Sequence, residues 1–136
     1  MLEFDKSQIE ALKEYLYYSY VHDANIETIS YDREKRIFEI RIFNPIYKSK
    51  INLIFEGVKI ILSISGNELG NYNTILSLTA EEDFSYIQNC VKEYGDYFVD
   101  SIYLLFQMFS GDELHIVAKN VFVDDIKENT GNSSTY

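Results

Sequence analysis

The chain of 136 residues is 46% hydrophobic and carries a formal net charge of −10, which suits a single domain with its own core. Because so acidic a surface without a basic stripe repels phosphate, we expect no binding to nucleic acid or to anionic membranes. The single cysteine, Cys90, excludes an intrachain disulfide, and no segment has the pattern of a signal peptide or membrane span, so we expect a cytoplasmic protein.

A helix is the first element that the sequence predicts. Ile9, Leu12 and Leu16 recur at three- and four-residue steps along one face, and Asp5 or Ser7 can cap the start. The helical spacing ends near residue 20, where β-branched residues take over.

From residue 24 onward the apolar residues alternate, which predicts a mostly antiparallel sheet. Turn-forming residues at 32–35 and 110–112 predict two hairpins, and the segment 66–71 is typical of a loop. The fold class is therefore α+β: an N-terminal helix, then about seven strands curled as a sandwich or partial barrel. The predicted strands are 26–31, 36–43, 51–55, 58–64, 74–78, 102–108 and 114–118, the last extended by 121–123 past a bulge near Asn120.

The domain is expected to cover residues 1–127, because residues 128–136 are rich in Asn, Thr, Gly and Ser and are typical of a flexible tail.

The segment 79–95 fits two structures. Thr79 and Glu82 have the spacing of a capping box and Gly95 can end a helix, which favours a second helix at about 80–94. The alternative is a strand that continues through Ala80 and is followed by a loop. The helix would place Cys90 near its apolar face, so we expect a buried, chemically inert thiol.

His22 and Asp23 are the adjacent pair with most catalytic potential, since a carboxylate can orient an imidazole for acid–base chemistry. Neighbours along a strand point to opposite faces, however, so we favour a structural role in which Asp23 accepts backbone N–H bonds. His115 is expected opposite Leu114 and Ile116, exposed to solvent.

No pattern typical of a cofactor or metal site accompanies these residues. The glycines lack the spacing of a phosphate-binding loop, and the acids at 81–83 and 124–125 lack the alternating ligands of a calcium loop. We therefore predict no catalytic residue, no metal and no cofactor.

Tyrosines and acids point instead to a protein partner. Four tyrosines, at 15, 17, 18 and 20, crowd the end of the predicted helix, and exposed tyrosine is enriched at protein interfaces. Residues 81–136 carry eleven acids and three bases, which suits a basic partner. The alternatives are that tyrosine merely suits helix edges and that acidity merely maintains solubility. The residues predicted to contact the partner are Tyr17, Tyr18, Glu81 and Asp124.

Two segments resemble a group of small bacterial proteins. Residues 21–32, which begin Val-His-Asp-Ala-Asn-Ile, resemble an opening in which an HD-A/S-x-I step enters a β-hairpin. Residues 109–116, Phe-Ser-Gly-Asp-Glu-Leu-His-Ile, are similar to the closing hairpin of that group. Some of those proteins resemble immunity proteins of toxin systems, and the resemblance implies no catalytic residue.

The sequence therefore favours a non-enzymatic cytosolic binding module, of the immunity type, that occludes a basic partner. The alternative is a small hydrolase or ligand-binding domain that uses His22, Asp23 and nearby carboxylates.

Overall fold

A computed structural model describes residues 1–66, 73–88 and 98–127. Within them a 3₁₀ turn at Lys6–Gln8 leads into helix α1, Ile9–Tyr18, and a short helix α2 covers Ser85–Gln88. The strands are β1 Leu2–Asp5, β2 Asn25–Asp32, β3 Ile37–Asn44, β4 Ser49–Glu56, β5 Ile60–Ile64, β6 Ile75–Glu81, β7 Ile102–Met108, β8 Glu113–Ala118 and β9 Asn120–Lys127.

The strands form two antiparallel sheets, which confirms the predicted α+β class. Sheet A has the order β1-β9-β4-β3-β2, and sheet B has the order β5-β8-β7-β6. The alternating apolar residues of β3, β4 and β9 lie in one core with those of β6, β7 and β8, so the two sheets bury their facing sides together. No closed barrel forms among the described strands.

The two sheets are joined where β4 leads to β5 and β8 leads to β9. The amide of Lys119 donates to the carbonyls of Glu56 and Gly57 at 3.0 and 3.2 Å, so the two connections run side by side. Gly57 has a φ of +61°, and a Cβ there would lie 2.8 Å from the Cβ of Lys119. Glycine is required by both the backbone conformation and the close approach.

Helix α1 packs between the edge strands β1 and β6. A capping box fixes the 3₁₀ turn that leads into α1: Asp5 accepts the amide of Ser7 at 2.9 Å, and Gln8 accepts the amide of Asp5 at 3.1 Å. Leu12 and Leu16 are fully buried in the main core, as their spacing predicts. The opposite side of α1 is left exposed.

The outer side of sheet B carries a second, smaller core. Tyr103 and Val117 project from β7 and β8 and are buried together with Ile87 and Phe98. Phe84 and Phe98 stack with ring centroids 5.7 Å apart. The segment around α2 therefore covers this face.

The structure differs from the sequence prediction in three described elements. Residues 79–81 belong to β6, so the predicted capping box is wrong: the Thr79 hydroxyl donates to Glu81 at 2.7 Å, and the helix starts at Ser85, beside Asp83. Strand β1 precedes α1 and was not expected, because its four residues are too few to show a period. The extension at 121–123 belongs to β9, which lies in the other sheet from β8.

Cys90, the remainder of the predicted second helix, most of the predicted loop at 66–71 and the predicted tail at 128–136 lie outside the described residues.

Candidate protein-binding face

The exposed side of α1 and the neighbouring β3–β4 turn form a surface of aromatic and apolar side chains, which we name the tyrosine face. Tyr17 and Tyr18 are each 74% exposed, and their rings meet edge to face at 4.9 Å. Tyr20 stacks on Tyr47 with ring centroids 4.4 Å apart. The face consists of Tyr17, Tyr18, Tyr20, Ile46 and Tyr47, of which Ile46 is 71% and Tyr47 is 52% exposed.

A groove of about 480 Å³ lies at one edge of this face, and we name it the Tyr15 groove. It runs between α1 and the strands β1 and β9. Apolar and aromatic side chains dominate its lining, and two carboxylates complete it. The lining residues are Leu2, Phe4, Ala11, Glu14, Tyr15, Tyr18, Ser19, Tyr20 and Asp125.

One hydrogen bond fixes the acidic end of the Tyr15 groove. The hydroxyl of Tyr15 donates to Oδ2 of Asp125 at 2.7 Å. Burial, followed by this hydrogen bond and the charge of Asp125, raises the pKa of Tyr15 well above its ordinary value of 10. Tyr15 thus remains a neutral donor, which holds the carboxylate of Asp125 in one orientation.

A second groove, of about 360 Å³, lies on the other side of α1 against β6 and includes Tyr17, His22 and Glu81. Lys13 also lines it, and its ammonium pairs with both Glu82 and Glu10. The hydrogen bond between Lys13 and Glu82 raises the pKa of the lysine and lowers that of the glutamate. The cation on this side of the helix is therefore already partnered.

The side chains of His22 and Asp23 form no hydrogen bond with each other in the described part of the chain. Nδ1 of His22 lies 3.2 Å from the carbonyl oxygen of Leu76. Asp23 has a φ of +64°, a left-handed conformation that aspartate tolerates better than most residues, and its amide donates to Ile75 at 2.8 Å. Both residues lie in the turn that joins α1 to β2. Asp23 is held there by its backbone amide, and the hydrogen bonds expected from backbone N–H groups to its side chain do not form among the described residues.

Three of the four residues predicted to contact a partner lie around α1, and the fourth does not. Tyr17 and Tyr18 are on the tyrosine face, and Glu81 lines the groove beside it. Asp124 pairs in register with Asn52 and projects from the outer side of sheet A. Asp125, its neighbour, pairs with Ile51 and projects toward α1.

The prediction that His115 meets solvent is wrong, since only 3% of this residue is exposed. Its ring lies under that of Tyr86 at 5.3 Å, and its Nδ1 is 2.6 Å from the hydroxyl of Tyr103. Nε2 is 3.0 Å from a carboxylate oxygen of Glu113. Because a carboxylate only accepts, Nε2 donates to Glu113, and in the neutral ring Nδ1 accepts from the hydroxyl of Tyr103.

Sequence reasoning missed Tyr47 as a member of the tyrosine face and Asp125 as a member of the Tyr15 groove. The alternation Val121, Val123, Asp125 contains a signal for one of them, since it places Asp125 on the same side of β9 as two core residues. Nothing in the sequence links Tyr47 to Tyr20, which lies 27 positions away in another element.

The described residues hold no group of three or more His, Cys, Asp or Glu side chains placed to bind a metal ion. None of the helices in that part of the chain has the length and apolar character needed to cross a membrane. No protein-family model matches the chain, and searches of curated proteins and of solved structures found no match either.

Proposed function

We propose that this chain is a non-enzymatic, cytoplasmic protein-binding module that occludes a basic protein through the tyrosine face, in the manner of an immunity protein. The main support is the contiguous exposure of four tyrosines on one surface. Tyrosine is enriched among residues that dominate binding energy, because a large ring with few rotatable bonds is buried at a small entropic cost.

Charge supports a basic partner. Glu14 and Asp125 line the Tyr15 groove, and Glu10, with its side chain 80% exposed, lies on the same helix. Lys13 is already paired with two glutamates. Carboxylates on and beside α1 therefore outnumber the lysine of the helix, which favours association with a positively charged protein and disfavours nucleic acid.

The hydrolase alternative has weaker support. His22 lies in a groove, yet its ring nitrogen is near a backbone carbonyl, and neither Asp23 nor another described carboxylate pairs with it. A general base needs an orienting partner and access to a substrate proton.

Capture of the partner from native lysate, followed by measured binding of variants, tests the proposal. Tyr17→Ala and Tyr18→Ala should each weaken binding about tenfold or more, as loss of an anchoring ring does. Tyr31→Ala is the matched control, because Tyr31 is also exposed but lies on β2 at the edge of sheet A.

The association rate should fall as salt is raised, since the charges act mainly on encounter. An acidic partner, or equal losses of affinity in Tyr17→Ala, Tyr18→Ala and Tyr31→Ala, would contradict the proposal.

A further inference from the structure

One small residue, Ala11, leaves the space that forms the Tyr15 groove. Ala11, Tyr15 and Tyr18 lie four and three positions apart, so they form a stripe along the side of α1 that faces the groove. Ala11 contributes a single methyl group, which leaves room between the helix and β1. Phe4 and Tyr15, whose ring centroids are 5.9 Å apart, are the most buried of the aromatic lining residues.

The acidic groups of the groove lack a basic partner in the described part of the chain. Neither Glu14 nor Asp125 forms an ion pair with a described lysine or arginine. The bond from Tyr15 occupies one oxygen of Asp125 and orients the other. Two carboxylates beside aromatic rings are suited to a cation.

The aromatic lining favours a flat cation over a compact one. Tyr18 and Tyr20 both line the groove, and Tyr47 supports Tyr20 by stacking on it at 4.4 Å. A guanidinium is planar, stacks on aromatic rings and has five N–H donors, so it can bridge two carboxylates at once. An ammonium is more strongly hydrated and cannot stack.

From this geometry we infer that the Tyr15 groove is the receptor site for one arginine side chain of the partner. The inference rests on the proposed function and specifies it: Glu14 and Asp125 bind the guanidinium N–H groups, Tyr18 and Tyr20 stack on its plane, and Ala11 provides the space.

The arginine site can be tested without a partner protein. The whole chain is titrated with N-acetyl-arginine amide, and the shifts of its backbone amide signals are measured by ¹H–¹⁵N NMR. Saturable shifts should centre on residues 11, 14, 15, 18 and 125. Two other compounds should each bind at least about tenfold more weakly. N-acetyl-citrulline amide has the same shape but no positive charge, and N-acetyl-lysine amide has the charge but no planar group.

Two variants and one matched control locate the site. Ala11→Leu should abolish the shifts by filling the groove while retaining a good helix former. Asp125→Asn should weaken binding about tenfold by removing a charged acceptor. Asp124→Asn removes the same charge one residue away on the other side of sheet A, and it should change affinity less than about twofold.

Equal binding of the citrulline or lysine compound, or of Ala11→Leu, would overturn the assignment of the groove to arginine, as would equal losses in Asp125→Asn and Asp124→Asn. If a captured partner depends on Tyr17 while the arginine compound produces no shifts, the arginine site is wrong and the proposed function stands. If the arginine compound binds as expected but the partner ignores Tyr17 and Tyr18, the proposed function fails instead.

Discussion

The outer sides of the two sheets have similar strand patterns but different surroundings. On sheet A, Arg41, Asn52 and Asp124 project from β3, β4 and β9 and are half-buried or exposed. On sheet B, Tyr103 and His115 occupy comparable central positions and are buried. Whether a polar side chain on an outer face is exposed to water therefore depends on whether another segment covers that face. The alternation of residues along the strand does not predict this.

Covering a face changes the chemistry that its polar residues can have. His115 is bonded on both ring nitrogens, by Tyr103 and Glu113, because a buried polar group needs partners. Burial, followed by the charges of Glu81 and Glu113, raises the pKa of Tyr103 from 10 to about 12. On the outer side of sheet A, exposed polar side chains can instead form hydrogen bonds with water, so they need no protein partner.

The largest expected effect is a difference in stability between two phenylalanine variants, one for each outer face. Phe98→Ala should lower the free energy of unfolding by about 3–5 kcal/mol, because Phe98 is buried and stacks on Phe84. Phe122→Ala, on the half-exposed side of β9, should cost about 1 kcal/mol. Chemical denaturation of both variants checks the difference, and similar costs would mean that the two faces are equally covered.

A smaller effect tests the buried hydrogen-bond chain on sheet B. Tyr103→Phe leaves Nδ1 of His115 without its donor, so it should cost about 1–3 kcal/mol near neutral pH. Tyr31→Phe, an exposed ring on sheet A, should cost less than about 0.5 kcal/mol.

The cost of Tyr103→Phe should also depend on pH. The folded state holds the Tyr103 proton up to about pH 12, whereas the unfolded chain releases it near 10. The contribution of Tyr103 is therefore complete below pH 10 and is lost as the pH rises toward 12, so the stability gap between wild type and variant should narrow over that interval. Denaturation curves at several alkaline pH values measure the gap, and a constant gap would contradict the burial of Tyr103.

The sequence predicts the elements of this fold better than it predicts their environment. The alternation of Phe38, Ile40 and Ile42 is a local property, and it correctly identifies the core side of β3. The burial of His115 depends on Tyr86, which lies 29 positions earlier and reaches it only through the path of the whole chain.

The candidate site is likewise predicted only where it depends on neighbouring residues in the sequence. The crowding of four tyrosines at a helix end predicts that some of them are exposed, which is confirmed for Tyr17 and Tyr18. The groove beside them depends on the pairing of β1 with β9 and on the bond between Tyr15 and Asp125, which are 110 positions apart. Asp124 and Asp125 are adjacent acids, and the alternation along β9 indicates which of them lies on the core side, but not that Asp125 meets Tyr15 there.

The smallest expected effect concerns two side-chain pairs with the same spacing, an ion pair on β3 and a hydrogen-bonded pair on β8. Glu39 and Arg41 lie two residues apart on β3, with N and O atoms 3.4 Å apart and the arginine side chain 57% exposed. Glu113 and His115 lie two residues apart on β8, and the histidine is buried. Arg41→Ala should change the free energy of unfolding by less than about 0.5 kcal/mol, since water and salt screen an exposed pair. Glu113→Ala should cost about 1 kcal/mol or more, because it removes the acceptor of a buried N–H. Denaturation at low and high salt measures both, and a cost above about 1 kcal/mol for Arg41→Ala would show that the outer side of sheet A is covered in the folded protein after all.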